Sequence, residues 1–400
     1  MKPSDDHSGL GTSFEAVPAD EADEIEKISA IGVQLQDKRA AQDPSQQGKI
    51  LRGVHAKSHG CVKAEFTIGR DIDEQYRIGL FANLGKTHEA WVRFSNASVL
   101  REDDLKANDE GQRQNGSRGM AIKVMNVDGE MLSQDDGGNN QDFLMINTPM
   151  FAFANVRDYL RLERVLDRDP LGADPKAYFI PAVLASLGEP QAGEDAQITG
   201  KRQFLKDLVT RDPLLNTLTT KDLMGTIASA KVAAAIAQKT VRNPMQVQYF
   251  GAAPFLFGPG RVMKFSAVPG RTVEQPPFDD VTPDNPPVNY LRDALGATMC
   301  GGDVVDYDFM IQTRKAGADG LNIEDATTTW ANELAEYTPV AKLTIHTPQT
   351  PHGDAELDHC EKLAFNPWHS LAAHRPLGGI NRLRRKVYSD SARHRDADGY

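Results

Sequence analysis

Apolar and polar positions alternate along several stretches of this chain in the way a half-buried strand requires. Val62–Ile68 reads VKAEFTI, and His88–Ser95 continues the same theme. Met120–Val127 follows, with Asp128-Gly129 as its turn dipeptide. Further strands are predicted at Met245–Phe250, Arg261–Val268, Asp303–Ile311 and Ala341–His346. Helical spacing occupies other segments. Ile25, Ile28, Ile31, Val33 and Leu35 predict an amphipathic helix over Ala19–Gln36 with an acidic start, followed by a polar linker to Gln47. From Val156 to about Lys239 the pattern is helical again, broken at Arg211-Asp212-Pro213. Tyr290–Thr298 reads as a short helix after a proline-rich stretch that cannot lie inside a sheet. Strands on both sides of a helical insertion predict one antiparallel barrel of α+β class. The division expected is an arm and helix over residues 1–47, then a barrel over 48–400 with its insertion at about 156–240.

Composition narrows the function. Hydrophobic residues at 40% and charged residues at 25% are those of an ordinary globular protein. A net charge of −11 argues against nucleic acid as a partner, because duplex affinity depends on neutralising phosphates. No apolar run reaches membrane-spanning length, and the N-terminus lacks a signal-peptide core, so a cytoplasmic location is the expectation. Cys61, Cys300 and Cys360 are odd in number and scattered, which fits a reducing compartment without a disulfide framework. The loop Asp135–Asn140 is acidic but lacks the alternating ligand spacing of a calcium loop and reads as a turn.

The chemistry concentrates near the end of the chain. In Asn381–Arg395, read as a helix, Arg384 and Tyr388 stand at i and i+4 on one face. A guanidinium beside a phenol favours the phenolate, which otherwise forms only near pH 10. Tyrosinate is one of the side chains that hold haem iron. Alone, the stretch equally fits a basic surface helix with an ordinary tyrosine.

A second stretch, Arg52-x-x-His55-Ala56-Lys57, decides between these. Together with Val92-Arg93-Phe94-Ser95-Asn96, Arg118–Val124, Asn147-Thr148-Pro149-Met150-Phe151 and Arg384-x-x-x-Tyr388-x-Asp390-x-x-Arg393-His394-Arg395, it resembles the haem-dependent catalases. The likeness is greater to their shorter catalase-related relatives. The motifs recur in family order over roughly residues 50 to 395. The resemblance implies a catalase-like barrel with a C-terminal haem-ligating helix and haem b as cofactor. Tyr388 would be the iron ligand and Arg384 its partner. His55, on a distal strand, would be the acid/base that moves a proton during O–O cleavage, a task suited to imidazole near neutrality. Arg52, Arg93 and Arg395 match positions that contact haem propionates, and guanidinium pairs well with buried carboxylates. Val54 and Phe151 match distal-side contacts. Asn147 is taken with His55 as catalytic. Ile146, however, stands where catalases carry the first Asn of an Asn-Asn-Thr-Pro string.

An isoleucine there cannot hydrogen-bond a second peroxide. The expected activity is therefore a peroxidase for organic hydroperoxides or hydrogen peroxide, with an external electron donor. Hydroperoxide isomerisation of the allene-oxide-synthase kind, weak catalase activity and haem storage are the alternatives. His369, His374 and His394 are further candidate iron ligands. The chain stops soon after the proximal helix, and a monomer or homodimer is expected.

Overall fold

The computed structural model describes residues 15–42, 48–97, 106–107, 113–114, 117–132, 138–168, 196–211, 241–270, 289–330 and 335–397. Half of the acidic loop (residues 135–137), the proline-rich stretch and much of the helical insertion lie outside them.

The alternating stretches close into a barrel. In chain order the strands are β1 (Ser58–Ile68), β2 (Thr87–Asn96), β3 (Lys106–Ala107), β4 (Arg113–Gln114), β5 (Arg118–Val124) and β6 (Gln141–Ile146). There follow β7 (Tyr249–Phe250), β8 (Phe255–Leu256), β9 (Arg261–Pro269), β10 (Val305–Lys315) and β11 (Thr338–Ile345). The sheet runs β10-β11-β1-β2-β5-β6-β7-β9, and β9 pairs back to β10, so eight antiparallel strands form a ring. β8 adds to β9 outside the ring, and β3 and β4 form a separate two-residue hairpin.

Period-two alternation sends every second side chain into the ring. Phe66, Phe94, Phe143, Phe265 and Phe309 fill it, each fully buried. Phe143 and Phe309 lie 4.6 Å apart between centroids, and Phe143 meets Phe265 edge-on at 5.0 Å. The barrel lumen is thus a packed core, and any ligand site must lie outside it.

Helices supply that outside wall: α1 (Glu21–Gln42), α2 (Val156–Arg168), α3 (Ala196–Arg211), α4 (Tyr290–Cys300), α5 (Asp354–Lys362) and α6 (Gly379–His394). α1 runs past the expected Gln36 boundary into the polar segment read as linker. Ile28 of α1, Val156, Tyr159, Leu160 and Leu162 of α2, and Leu383 of α6 form a second buried cluster with Phe153. Arg382 of α6 ties this bundle down through Glu15, Glu21 and Glu324 at 2.6–2.7 Å. α5 was not anticipated. It is stapled to β1 by a disulfide between Cys61 and Cys360, with Cα atoms 5.8 Å apart. The expectation of unpaired cysteines is therefore corrected; Cys300 is free and exposed. No described helix is long and apolar enough to cross a membrane.

Candidate functional site

Side chains that alternate outward from β2, β5 and β6 face α6, and a cavity separates them. Arg93 and Ser95 of β2, Ala121 of β5, and Leu144 and Ile146 of β6 line one side. Arg384, Val387, Tyr388 and Ser391 of α6 line the other, and α1 and α2 close the edge. The empty space is about 1130 Å³, counting what opens to solvent.

His55 occupies this cavity from an unusual backbone. It lies in a bend before β1, not in a strand as expected, and its φ is +56°. Left-handed backbone is costly for a residue with a Cβ, and such strain persists only where surroundings hold it. Arg52 does the holding, since its Nε and Nη2 donate to the His55 carbonyl at 3.1 and 2.9 Å. The ring is fixed as well: Nδ1 lies 2.9 Å from Ser95 Oγ. Gly119 makes room, because a Cβ there would come within 2.4 Å of the imidazole. Burial, then Arg93, Arg52 and Arg384, lower the imidazole pKa to about 3, so the ring is neutral at ordinary pH.

Tyr388 lines the same cavity, half-buried on α6. The Arg384 guanidinium lies over its ring at 5.3 Å from the centroid, as the i, i+4 spacing predicts. Arg384 Nη1 donates to Asn381 Oδ1 at 3.2 Å, while its buried Nε has no partner. Val54 and Phe151 line the cavity too, and Phe151 stacks on Tyr159 with centroids 6.3 Å apart.

Arg52, Arg93 and Arg395 are brought together beside these residues, with the Glu361 carboxylate among them. Arg52 Nη1 lies 2.5 Å from Glu361 Oε2. Arg395 donates to the Glu361 carbonyl, and Arg93 makes long bonds of 3.3–3.4 Å to the Leu363 and Cys360 carbonyls. Burial pushes the Glu361 carboxyl up, but the arginines together hold it below the usual glutamate range. Burial and then the Arg52 charge depress the Arg93 guanidinium. Arg395 Nε is buried without a partner. Such a cluster has positive charge and N–H donors to spare, and it suits a dianionic group. A haem with two propionates fits on that ground, since its carboxylates would pair with the arginines.

Asn147 does not line the cavity. It is buried, but its Oδ1 accepts from the Arg118 backbone N–H at 2.9 Å, and Ile146 lines the cavity in its stead. The strand period explains this, since neighbours on β6 and just beyond it face opposite ways. The other candidate histidines also lie elsewhere: His369 bonds Asp142, His374 accepts from the Leu80 N–H, and His394 meets Asp37. Among the described residues no group of three or more His, Cys, Asp or Glu could hold a metal.

Sequence reasoning did not give roles to Ser95, Gly119 or Glu361. The alternation with Arg93 could have pointed to Ser95, two residues on along the same face. Nothing local marks Glu361, which is 309 residues from Arg52. Nor did it single out Gln36, Arg39 and Glu163, which reach the cavity edge from α1 and α2.

No family model matches the chain. A catalase of Staphylococcus epidermidis is 32% identical over 120 residues, which is 30% of this chain and 20% of that protein. A catalase-like protein of Staphylococcus aureus is 29% identical over 119 residues, 22% of its length. The matched region thus spans about a fifth of these curated relatives. Solved structures match far more widely. A fungal catalase superposes with a TM-score of 0.60 at 16% identity, covering 86% of this chain and 59% of its own. A bacterial catalase gives 0.58 at 18%, covering 87% and 58%. Catalase A from Saccharomyces cerevisiae gives 0.56 at 15%, covering 87% and 61%. The chain is catalase-like in fold, and over 120 residues in sequence as well.

Proposed function

We propose that this protein holds haem b between Tyr388 and His55 and works as a peroxidase that reduces organic hydroperoxides or hydrogen peroxide. One observation carries the reading. A neutral, clamped imidazole and a phenol line one cavity, next to buried arginines with charge to spare. The likeness to catalases supports the same chemistry. Haem, once bound, would supply the iron that accepts peroxide oxygen and the two-electron redox capacity.

The side chains have separable tasks. Tyr388 would be the anionic ligand, with the Arg384 guanidinium lying over its ring. Arg52, Arg93 and Arg395 would seat the propionates. His55 would take the hydroperoxide O–H proton at Nε2 and return it to the departing oxygen, while Ser95 keeps Nδ1 occupied. Ile146 gives the distal wall an alkyl surface that suits an alkyl hydroperoxide better than a second hydrogen peroxide. A soluble cytoplasmic setting and a monomer or homodimer remain part of this proposal, and an electron donor completes it.

The test is reconstitution with haemin and spectroscopy. A high-spin ferric spectrum of the tyrosinate type should appear in the wild type and collapse in Tyr388→Phe. His55→Ala should keep haem but slow hydroperoxide cleavage by about 10²–10⁴-fold. Oxygen release from hydrogen peroxide at the rate of ordinary catalases would overturn the peroxidase assignment in favour of catalase. An unchanged spectrum in Tyr388→Phe would overturn the ligand.

A further inference from the structure

Buried tyrosines in this molecule differ in what accepts from them. Tyr249 and Tyr307 are fully buried, and their hydroxyls donate to the Pro244 and Met245 carbonyls at 2.8 Å. A peptide carbonyl accepts a hydrogen bond but does not take the proton. Tyr159 of α2 is different. Its hydroxyl donates to the carboxyl of Glu163, one helical turn on, and both side chains are buried. Burial, eased by Arg39 and the Tyr159 hydrogen bond and reinforced by Asp167, holds that carboxyl at about 7. It is a base matched to neutral pH, already bonded to the proton it would receive.

The pair also stands at the cavity. Tyr159 lines it together with His55, Arg384 and Tyr388, and Glu163 lines it from the same helix. Phe151 stacks on the Tyr159 ring with centroids 6.3 Å apart, and Phe153 meets it edge-on at 5.4 Å. Both phenylalanines line the cavity too. Removing an electron from a phenol makes its hydroxyl strongly acidic, so a buried tyrosine needs a base to be oxidised. With Glu163 the products are a neutral phenoxyl and a neutral carboxylic acid, and no new charge is left in a dry site.

We infer that Tyr159 is a redox relay of the cavity wall, passing an electron inward while its O–H proton crosses to Glu163. The inference deepens the peroxidase reading and rests on it for its oxidant, the hydroperoxide. Reduction of ROOH to ROH and water consumes two electrons and two protons. The relay passes the electrons one at a time. After each, a hydrogen donor such as ascorbate supplies one electron to the phenoxyl and sheds one proton, and Glu163 returns its own proton to Tyr159. A relay at the wall spares the donor from entering the cavity.

The experiment mixes haemin-loaded protein with an equimolar amount of cumene hydroperoxide, freezes samples at successive times and records their electron paramagnetic resonance. Wild type should show a tyrosyl signal that narrows when its tyrosines are ring-deuterated. Tyr159→Phe should lose the signal while still binding haemin, and Tyr249→Phe should keep it. Glu163→Gln retains the phenol without the base, and should slow radical formation by about 10²-fold or more. Formation as fast as in wild type would overturn the part given to Glu163. The alcohol product is measured in the same samples. If alcohol forms and the signal is absent or survives Tyr159→Phe, the relay is overturned and the peroxidase reading stands. If no alcohol forms, the peroxidase reading fails. The relay is then judged with zinc protoporphyrin in place of haemin, photo-oxidised by a flash in the presence of a cobalt(III) ammine. A radical that depends on Tyr159 upholds the relay there, and its absence overturns it.

Discussion

Two buried charge clusters meet at the ring of Phe365, and they are built on opposite plans. Lys123 of β5 reaches both oxygens of Asp142 on β6 at 2.8 Å, and Asp142 also accepts from His369 Nδ1 and the Asn366 N–H at 2.9 Å. Lys123 and Asp142 are both fully buried. Lys123 and Asp142 offset each other, and the carboxylate's acceptor sites are taken up by four contacts. On the neighbouring strand β2, Arg93 lies over the same Phe365 ring at 4.3 Å, against 5.1 Å for Lys123. Its companions are Arg52 and Arg395, with Glu361 as the carboxylate among them; the Arg93 donors rest on long bonds to carbonyls, and Arg395 Nε has no partner. The first cluster is complete in the protein alone. The second leaves positive charge that an added anion would balance. Burial by itself therefore does not mark a functional site; an unbalanced charge does.

The largest test of this contrast breaks the closed cluster. Asp142→Ala leaves Lys123 buried without its counter-charge and strips partners from His369 and Asn366. Removing one member of a buried pair costs about 3–5 kcal/mol. Denaturant unfolding should show that loss, and a cost under about 1 kcal/mol would mean the network is not structural.

Next in size is a pH effect that belongs to the open cluster. Burial, Arg93, Arg52 and Arg384 hold His55 at about 3, against 6.5 when unfolded. The unfolded chain therefore binds more protons between those values. Stability from this group is full above pH 6.5 and is lost as pH falls toward 3, by up to a few kcal/mol. The cofactor-free protein should lose stability over that window, and His55→Phe should lose less. Bound propionates would offset the arginines and move the onset to lower stability cost. Equal acid sensitivity with and without haem would separate His55 from the arginine cluster.

How much of this was legible beforehand follows from range. Period-two alternation marks β1, β2 and β10 because burial on one face leaves a local trace, and the same period puts Arg93 and Ser95 on one side. The Arg384–Tyr388 pair was readable because four residues make a full helical turn. α5 was not, since DAELDHCEK offers only Ala355, Leu357 and Cys360 as apolar markers. With it went Glu361 and the Cys61–Cys360 bridge, whose partners are 299 residues apart. His55 was read as a strand residue because sequence carries no sign of its positive φ, which Arg52 and Gly119 impose through space. Ile146 lines the cavity and Asn147, one residue on, does not, because one step along an extended chain reverses a side chain.

The smallest expected effect is the most telling, because it has the opposite sign to the first. Arg93→Met keeps much of the volume and the contact with Phe365 while removing one of three crowded positive charges. The bonds lost are long, at 3.3–3.4 Å, and the Leu363 carbonyl keeps a contact from Arg395. Replacing buried charge by a well-packed apolar side chain is often neutral or stabilising. The cofactor-free protein should thus hold its stability or gain about 1 kcal/mol. Its affinity for haemin should fall by about 10- to 100-fold, since a charge-assisted bond to a propionate is worth about 1.5–3 kcal/mol. Unfolding of the cofactor-free variant and haemin titration followed by absorbance measure the two separately. Gain in one with loss in the other is what an unfinished site requires. If stability and affinity fall together, the arginines are a structural network like that of Lys123, and the cavity has no anion to wait for.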